Sequence, residues 1–335
     1  MIKLITICFI DKFMINAAIV GLGWWGKNIA DAVQGKSTKL HFVHGVTQEL
    51  EATREYAKAK GFKLSASLDE ALADPMVQAV VLATPHSLHA DQVVQVARAG
   101  KAVFCEKPLS LIRADAERAV AACKAAKVPL GVGQNKRFWP SMVELRRVIA
   151  SGALGRVMHV EGHYSNEHSS KFFAPWRDLP AETPGAGMTG TGIHILDAFA
   201  NIAGPTEQLT AQFIAHRTGA DPRDTVSVLF KFKNGISGFL GAVRASPLYF
   251  RVHAFGDEGS VEALDETRTI IRLKGGRTEV RDFPKIDSVL AEMDAFADAV
   301  TGVAPYPITT DEMVNTIASF EAVIQSIAKG NTVKL

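Results

Sequence analysis

The sequence predicts an α/β chain in two parts: a doubly wound parallel sheet, then an α+β domain with a mostly antiparallel, open-faced sheet. Three observations predict it. Apolar strand-like runs alternate with helix-like segments from residue 16 to about 135. Beyond that point strand candidates follow one another with no helix between them. And 335 residues are too many for one ordinary core, which points to about two domains.

In the first part "NAAIVGLG" precedes "WGKNIADAVQ", and "KLHFVHGV" precedes "ELEATREYAKAKG". "VQAVVLAT" then precedes "SLHADQVVQVARAG", "KAVFCEKP" precedes "DAERAVAACKAAK", and "PLGVGQN" closes the series. Near-continuous apolar strands with helices between them require a parallel sheet covered on both faces, with ligands at the carboxyl ends of the strands. "KRFWPSMVELRRVIASGALG" is expected to be a helix ended by glycine. The rhythm then changes to strand candidates such as "VMHVEGHYS" and "TIIRLKGGRTEVRDF", with "KNG" and "KGG" as hairpin turns. "VLAEMDAFADAV" and "TDEMVNTIASFEAVIQSIAKG" end the chain as helices that can pack back on the first domain. The expected divisions are an N-terminal extension at 1–13, a dinucleotide-binding domain at 14–136, and a substrate-binding and oligomerisation domain at 137–335. "MIKLITICFIDKFM" has an apolar run well short of the roughly 20 residues that span a bilayer and lacks a small-residue cleavage site, so Met14 is the expected start.

Composition excludes several classes. A hydrophobic content of 47% with 21% charged residues is that of a globular protein. A net charge of +2 and the absence of a basic run laced with aromatics argue against nucleic acid. Three unpatterned cysteines, Cys8, Cys105 and Cys123, argue for a reducing, cytoplasmic compartment and against a disulfide framework. No membrane association is expected. A sheet with helices on one face leaves the other for a partner, so a homodimer or homotetramer through the C-terminal sheet is expected.

Gly21-x-Gly23-x-x-Gly26 follows a strand and opens a helix. In a Rossmann turn the first glycine permits the tight bend, the second admits the pyrophosphate, and the third lets helix and strand pack closely. The helix N-terminus then offers N–H groups and a positive dipole end to the phosphates. Trp24 and Trp25 fill the two free positions of the fingerprint, and at least one ring is expected to line the crevice. About 20 residues on, where a carboxylate would hold the adenosine ribose, stands Thr47. Its hydroxyl can bond a ribose without repelling a 2′-phosphate, so the cofactor is NAD or NADP, with NADP favoured; a turn-capping role for Thr47 is equally open.

"LATPHSLHADQ", "VFCEKPLS" and the glycine loop together resemble the Gfo/Idh/MocA family of oxidoreductases, named for glucose–fructose oxidoreductase and inositol dehydrogenase. The resemblance runs from about residue 16 to the C-terminus, and "EKP" is its most specific mark. It implies that Thr84, Pro85 and His86 line the nicotinamide side, with His89 matching a common family histidine; the family more often has asparagine at His86. It implies that Glu106 helps to hold the nicotinamide ribose, that Lys107 lies between that ribose and the reacting oxygen, and that the bond before Pro108 is often cis. A lysine at a strand end beside a cofactor crevice can polarise a carbonyl or relay a proton. In "GAGMTGTGIHILDAF" the resemblance places His194 on the catalytic histidine and Asp197 on an aspartate common there. A histidine can take and return the hydroxyl proton near neutral pH. Asn135, Arg137, Trp176 and Arg177 are the candidate substrate contacts.

The chain departs from the pattern at Gly190, where many polyol-oxidising members carry an aspartate one turn before the histidine. The expected set is reduced to Lys107 and His194. That leaves three readings: hydride exchange with a secondary alcohol or carbonyl of a sugar, polyol or related cyclic compound; a non-catalytic dinucleotide-binding regulator; or a trans-dihydrodiol dehydrogenase or reductase. Phe138, Trp139, Phe172, Phe173 and Trp176 fit the hydrophobic substrate of the last, or a core. His159, His163 and His168 raise the question of a metal. The α-carbons of His159 and His163 would lie about 13 Å apart on one strand, and no carboxylate or cysteine has ligand spacing, so none is expected.

Overall fold

The computed structural model describes residues 14–167, 176, 179, 181–185, 188–216, 221 and 223–335. Its chain separates into two compact units. The first comprises residues up to Leu109, Glu117–Gly133 and Asp287–Thr310; the second comprises Ser110–Ala116, Gln134–Ile286 and Asp311–Leu335.

The first unit is built on β1 (Ile15–Val20), β2 (Leu40–Val46), β3 (Lys63–Ser65), β4 (Ala79–Leu82), β5 (Ala102–Glu106) and β6 (Leu130–Gly133). All pair in parallel in the order β3-β2-β1-β4-β5-β6. This is the doubly wound order whose switch point lies between the first and fourth strands. Every residue of β4 and β5 is buried, as a sheet covered on both faces demands. The short β3 escapes the sequence pattern because three residues carry no periodicity. Helices α1 (Trp24–Val33), α2 (Leu50–Lys60), α3 (Leu68–Ala73), α4 (His89–Arg98) and α5 (Arg113–Ala126) follow successive strands. The distant α8 (Ser288–Thr301) joins this core through Met293, Phe296 and Ala297, and Phe296 meets Phe104 edge-on at 5.5 Å. Each buried phenylalanine of this kind is worth about 1.5–3 kcal/mol of transfer free energy.

The second unit opens with a short 3₁₀ turn at Asn135–Phe138 and α6 (Pro140–Ala150). Its sheet comprises β7 (Val157–Ser165), β8 (Thr206–Ile214), β9 (Thr225–Phe232), β10 (Ser237–Val243), β11 (Tyr249–Gly256), β12 (Gly259–Leu264), β13 (Arg268–Leu273), β14 (Arg277–Asp282) and β15 (Val333–Lys334). The order is β14-β13-β12-β11-β7-β10-β9-β8-β15, antiparallel except where β7 meets β10. Both expected hairpin turns form. Gly235 joins β9 to β10 at φ 86°, and Gly275 and Gly276 join β13 to β14 at φ 83° and 85°, conformations that a side chain disfavours.

Helices α7 (Gly192–Ile202) and α9 (Thr310–Lys329) complete this unit. Side chains alternate along β7, so Val160, Gly162 and Tyr164 share one face while His159, Glu161 and His163 share the other. Gly162 is what lets α7 lie close: a Cβ there would stand 2.2 Å from Ile195 Cγ2 and 3.2 Å from the Phe199 ring.

Candidate functional site

The phosphate loop of the first unit shows why each glycine stands where it does. Gly21 has φ 94°, and a Cβ on it would lie 2.5 Å from the Ala83 carbonyl oxygen. A Cβ on Gly26 would lie 1.9 Å from the Gly21 carbonyl oxygen. Gly23 is different, because a Cβ there would meet nothing within 4 Å. The described residues leave that space open, in the place where the fingerprint puts a pyrophosphate. Gly23 is also the N-cap of α1, and no side chain caps the helix. Its first-turn N–H groups therefore face outward with the positive end of the dipole. These residues fit a dinucleotide. Trp25 packs inward against the core of the first unit, whereas Trp24 is 51% exposed, its ring 5.4 Å from that of Trp25.

Thr47 is buried at the end of β2, and its hydroxyl accepts a hydrogen bond from the Glu49 N–H at 3.2 Å. It caps the turn, and the hydroxyl keeps its own hydrogen to donate. Arg54, further along α2, pairs with Glu51 on the surface.

The loops after β4 and β5 are tied together. Thr84 donates through its hydroxyl to Gln92 Oε1 at 2.6 Å. Pro85 leads into a 3₁₀ turn at His86–Leu88, with His86 buried. His89 is completely buried, with Nε2 2.9 Å from the Thr84 carbonyl oxygen and Nδ1 2.7 Å from that of Pro108. Expected among the cofactor residues, it braces the main chain at Thr84 and Pro108. The Lys107–Pro108 bond is cis. Glu106 is buried, and its Oε2 accepts from the Lys107 N–H at 3.1 Å. A Cβ on Gly133 would stand 2.6 Å from Glu106 Oε1, so glycine at the end of β6 makes room for this carboxylate. Lys107 is half-buried at the end of β5.

In the second unit His194 lies in the first turn of α7 and is buried. Its Nδ1 is 2.7 Å from Gln134 Oε1, and the Tyr164 ring lies 5.9 Å from the imidazole. Burial pushes the Tyr164 phenol up to about 12, so it stays protonated. Asn135, beside Gln134, is buried. Lys136 sits 4.0 Å over the Trp139 ring and 5.8 Å from the centre of the Tyr164 ring.

Arg137, expected to hold substrate, is buried and bonded within the second unit. Its Nε and Nη2 hold both carboxylate oxygens of Asp197, at 2.5 and 3.0 Å, and Nη1 reaches Glu312 at 3.1 Å. Burial opposes its charge, but the Asp197 and Glu312 carboxylates outweigh that and raise its pKa. The arginine is an internal cation for Asp197 and Glu312. Trp139 is likewise core, edge-on to Phe250 at 4.8 Å. Trp176 is half-buried. Arg177, with His168, Phe172 and Phe173, lies outside the described residues. Gln134 was invisible in the sequence: its link to His194 spans 60 positions and leaves no motif. Among the described residues no group of His, Cys, Asp and Glu could hold a metal, and His159 bonds Ser237 through Nδ1 at 2.7 Å.

Two family models match the chain: the oxidoreductase family with NAD-binding Rossmann fold over residues 15–134, and the GFO/IDH/MocA C-terminal domain over residues 142–262. The chain belongs to the Gfo/Idh/MocA oxidoreductase family. Among its relatives, inositol 2-dehydrogenase 2 of Saccharopolyspora erythraea is 28% identical over 331 residues, 95% of this chain and 94% of that protein. The trans-1,2-dihydrobenzene-1,2-diol dehydrogenase of Mus musculus is 29% identical over 250 residues, 73% of each protein. An oxidoreductase of Schizosaccharomyces pombe is matched over only 41% of its own length. Among solved structures, aldose-aldose oxidoreductase of Caulobacter crescentus superposes with a TM-score of 0.84 at 25% identity, covering 96% of this chain and 100% of that one. As a Gfo/Idh/MocA protein, the chain has an NAD-binding Rossmann unit and a mixed, mostly antiparallel second sheet. Among the described residues no helix is long and apolar enough to cross a membrane.

Proposed function

We propose that this chain moves hydride between a nicotinamide cofactor and a secondary alcohol or carbonyl of a sugar, polyol or related cyclic compound. The observation that carries the reading is the phosphate loop, closed by backbone at Gly21 and Gly26 and open at Gly23. The relatives named for inositol and dihydrodiol oxidation support the substrate class. The cofactor, when bound, supplies the hydride acceptor or donor. Glu106 and the Thr84–His86 segment are assigned to its nicotinamide end, Lys107 to polarising the reacting oxygen and relaying its proton, and His194 to general acid/base work. Asn135, Trp176 and Arg177 are the proposed substrate contacts. NADP is favoured over NAD because Thr47 presents no negative charge to a 2′-phosphate. We place the enzyme in the cytoplasm, where Cys105 and Cys123 remain thiols. It forms a homodimer or homotetramer through the open sheet face, on which Leu229, Phe239 and Tyr249 are exposed.

A panel of sugars, inositols and trans-dihydrodiols, followed by the absorbance of reduced nicotinamide, tests the reading. Lys107→Ala should lower turnover by on the order of a hundredfold or more while cofactor binding survives. Near-normal turnover in that variant would falsify the assignment. Turnover confined to dihydrodiols would favour the second reading, to which the mouse relative lends support. Tight cofactor binding with no turnover on any substrate would instead make the chain a regulator, consistent with Gly190 at the position of the usual aspartate.

A further inference from the structure

The aspartate absent at Gly190 raises the question of what orients His194. We infer that Gln134 is its positioning residue, fixing the imidazole as the tautomer that carries its hydrogen on Nδ1 and its lone pair on Nε2. The inference rests on the catalytic role proposed for His194.

The geometry carries it. Gln134 is 2% exposed and His194 6%, so neither side chain is free to turn into solvent. Gln134 Oε1 lies 2.7 Å from Nδ1. A carbonyl oxygen only accepts, so Nδ1 must donate, and a neutral imidazole then has its lone pair on Nε2. An imidazole held by the wrong nitrogen would present N–H where a base is needed. The backbone fixes both ends. Gln134 begins the second unit directly after β6, ahead of the 3₁₀ turn at Asn135–Phe138. His194 sits in the first turn of α7, its own N–H bonded to the Thr191 carbonyl oxygen at 3.2 Å. The Tyr164 ring stands against the imidazole. Asp197, the nearest carboxylate along α7, is engaged by Arg137.

In the oxidation direction Nε2 would accept the substrate's hydroxyl proton as the C–O bond becomes a carbonyl, the hydride being what a bound nicotinamide would take up. The imidazolium then releases that proton to solvent. In reduction the same proton returns from Nε2. An amide in place of a carboxylate holds the ring without giving the imidazolium a counter-charge. The base is therefore oriented without being drawn into permanent protonation.

Nitrogen NMR of the full chain labelled at its ten histidines tests this without substrate or cofactor. His194 is assigned by its loss in His194→Gln. The expected result is an Nδ1–H signature for His194 in the wild type and its conversion to Nε2–H in Gln134→Leu. An Nε2–H wild type, or the same tautomer in both, overturns the inference. Kinetics give a second readout in the isosteric Gln134→Glu. Its carboxylate should move the acid limb of the kcat/KM profile up by about one pH unit, while Gln134→Leu should lower kcat by about 10- to 100-fold at little cost in KM. Unmoved profiles with an intact fold count against it. If His194→Gln leaves turnover near normal, the catalytic proposal fails, while the tautomer result still reports whether Gln134 orients the ring.

Discussion

The phosphate loop and the surroundings of His194 are held by different kinds of constraint. In the loop, backbone meets backbone a few residues away: a Cβ at Gly26 would lie 1.9 Å from the Gly21 carbonyl oxygen. Around His194 the partners are distant side chains, as with Gln134 at 60 positions and Arg137 holding Asp197 at the same separation. A constraint of the first kind dictates a residue type and leaves a motif. One of the second kind asks only for a suitable atom within reach, which several residue types supply from many places in a chain.

The largest expected effect separates two glycines of one loop. Gly26→Ala drives a methyl into backbone that cannot give, so both stability and dinucleotide binding should collapse. Gly23→Ala meets nothing among the described residues. Its unfolding midpoint should stay within about 0.5 kcal/mol of wild type, yet its Kd for the dinucleotide, read by fluorescence titration, should rise about tenfold or more. If Gly23→Ala binds normally, the open space does not belong to the pyrophosphate and the loop loses its functional meaning.

Next in size is Arg137→Leu. The guanidinium is 2% exposed and Asp197 4%, so removing the cation strands the Asp197 carboxylate in the interior and takes one partner from Glu312, which keeps Asn201. The expected loss is about 3–5 kcal/mol in urea unfolding. A substrate contact would behave otherwise, raising KM with stability unchanged, and that outcome would restore the sequence-based expectation.

These contrasts explain what could be read from the residues alone. The doubly wound sheet was legible because its strands are buried on both faces and so continuously apolar, as β4 and β5 are. The second sheet was legible through alternation along β7 and β9 and the glycines at 235, 275 and 276. Glu106 and Lys107 stand out in the sequence because "EKP" is a local string. The pairing of Arg137 with Asp197 is not legible, because an arginine ahead of a domain junction looks the same whether it faces a ligand or a buried aspartate. Gln134 does not stand out from its neighbours Asn135 and Arg137, since nothing in "GQNKRF" says which side chain finds the histidine. The bracing role of His89 is not legible either, because it depends on the loop after β5, well removed in sequence.

The smallest effect concerns a third situation, a titrating group on the open sheet face. His253 sits opposite Glu161 of β7 and Glu262 of β12 in register, stacked 3.8 Å over the Phe255 ring. It is 7% exposed, and its Nε2 is buried without a hydrogen-bond partner among the described residues. Burial pushes its pKa down to about 4; Glu262 pulls it up, while Arg251, Arg272 and His159 push it further down. The ordinary value is 6.5, so between there and about 4 the unfolded chain binds a proton that the folded one refuses. The stability tied to neutral His253 is thus complete above 6.5 and is lost as the pH falls toward 4. Urea midpoints measured from about pH 7 down to about pH 4.5 should fall less steeply in His253→Phe than in the wild type. Parallel slopes would mean that the paired carboxylates, rather than this ring, set the acid sensitivity of the sheet. A shallower slope would identify His253 as a group whose burial outweighs the pull of Glu262, unlike Arg137, whose two carboxylates outweigh burial.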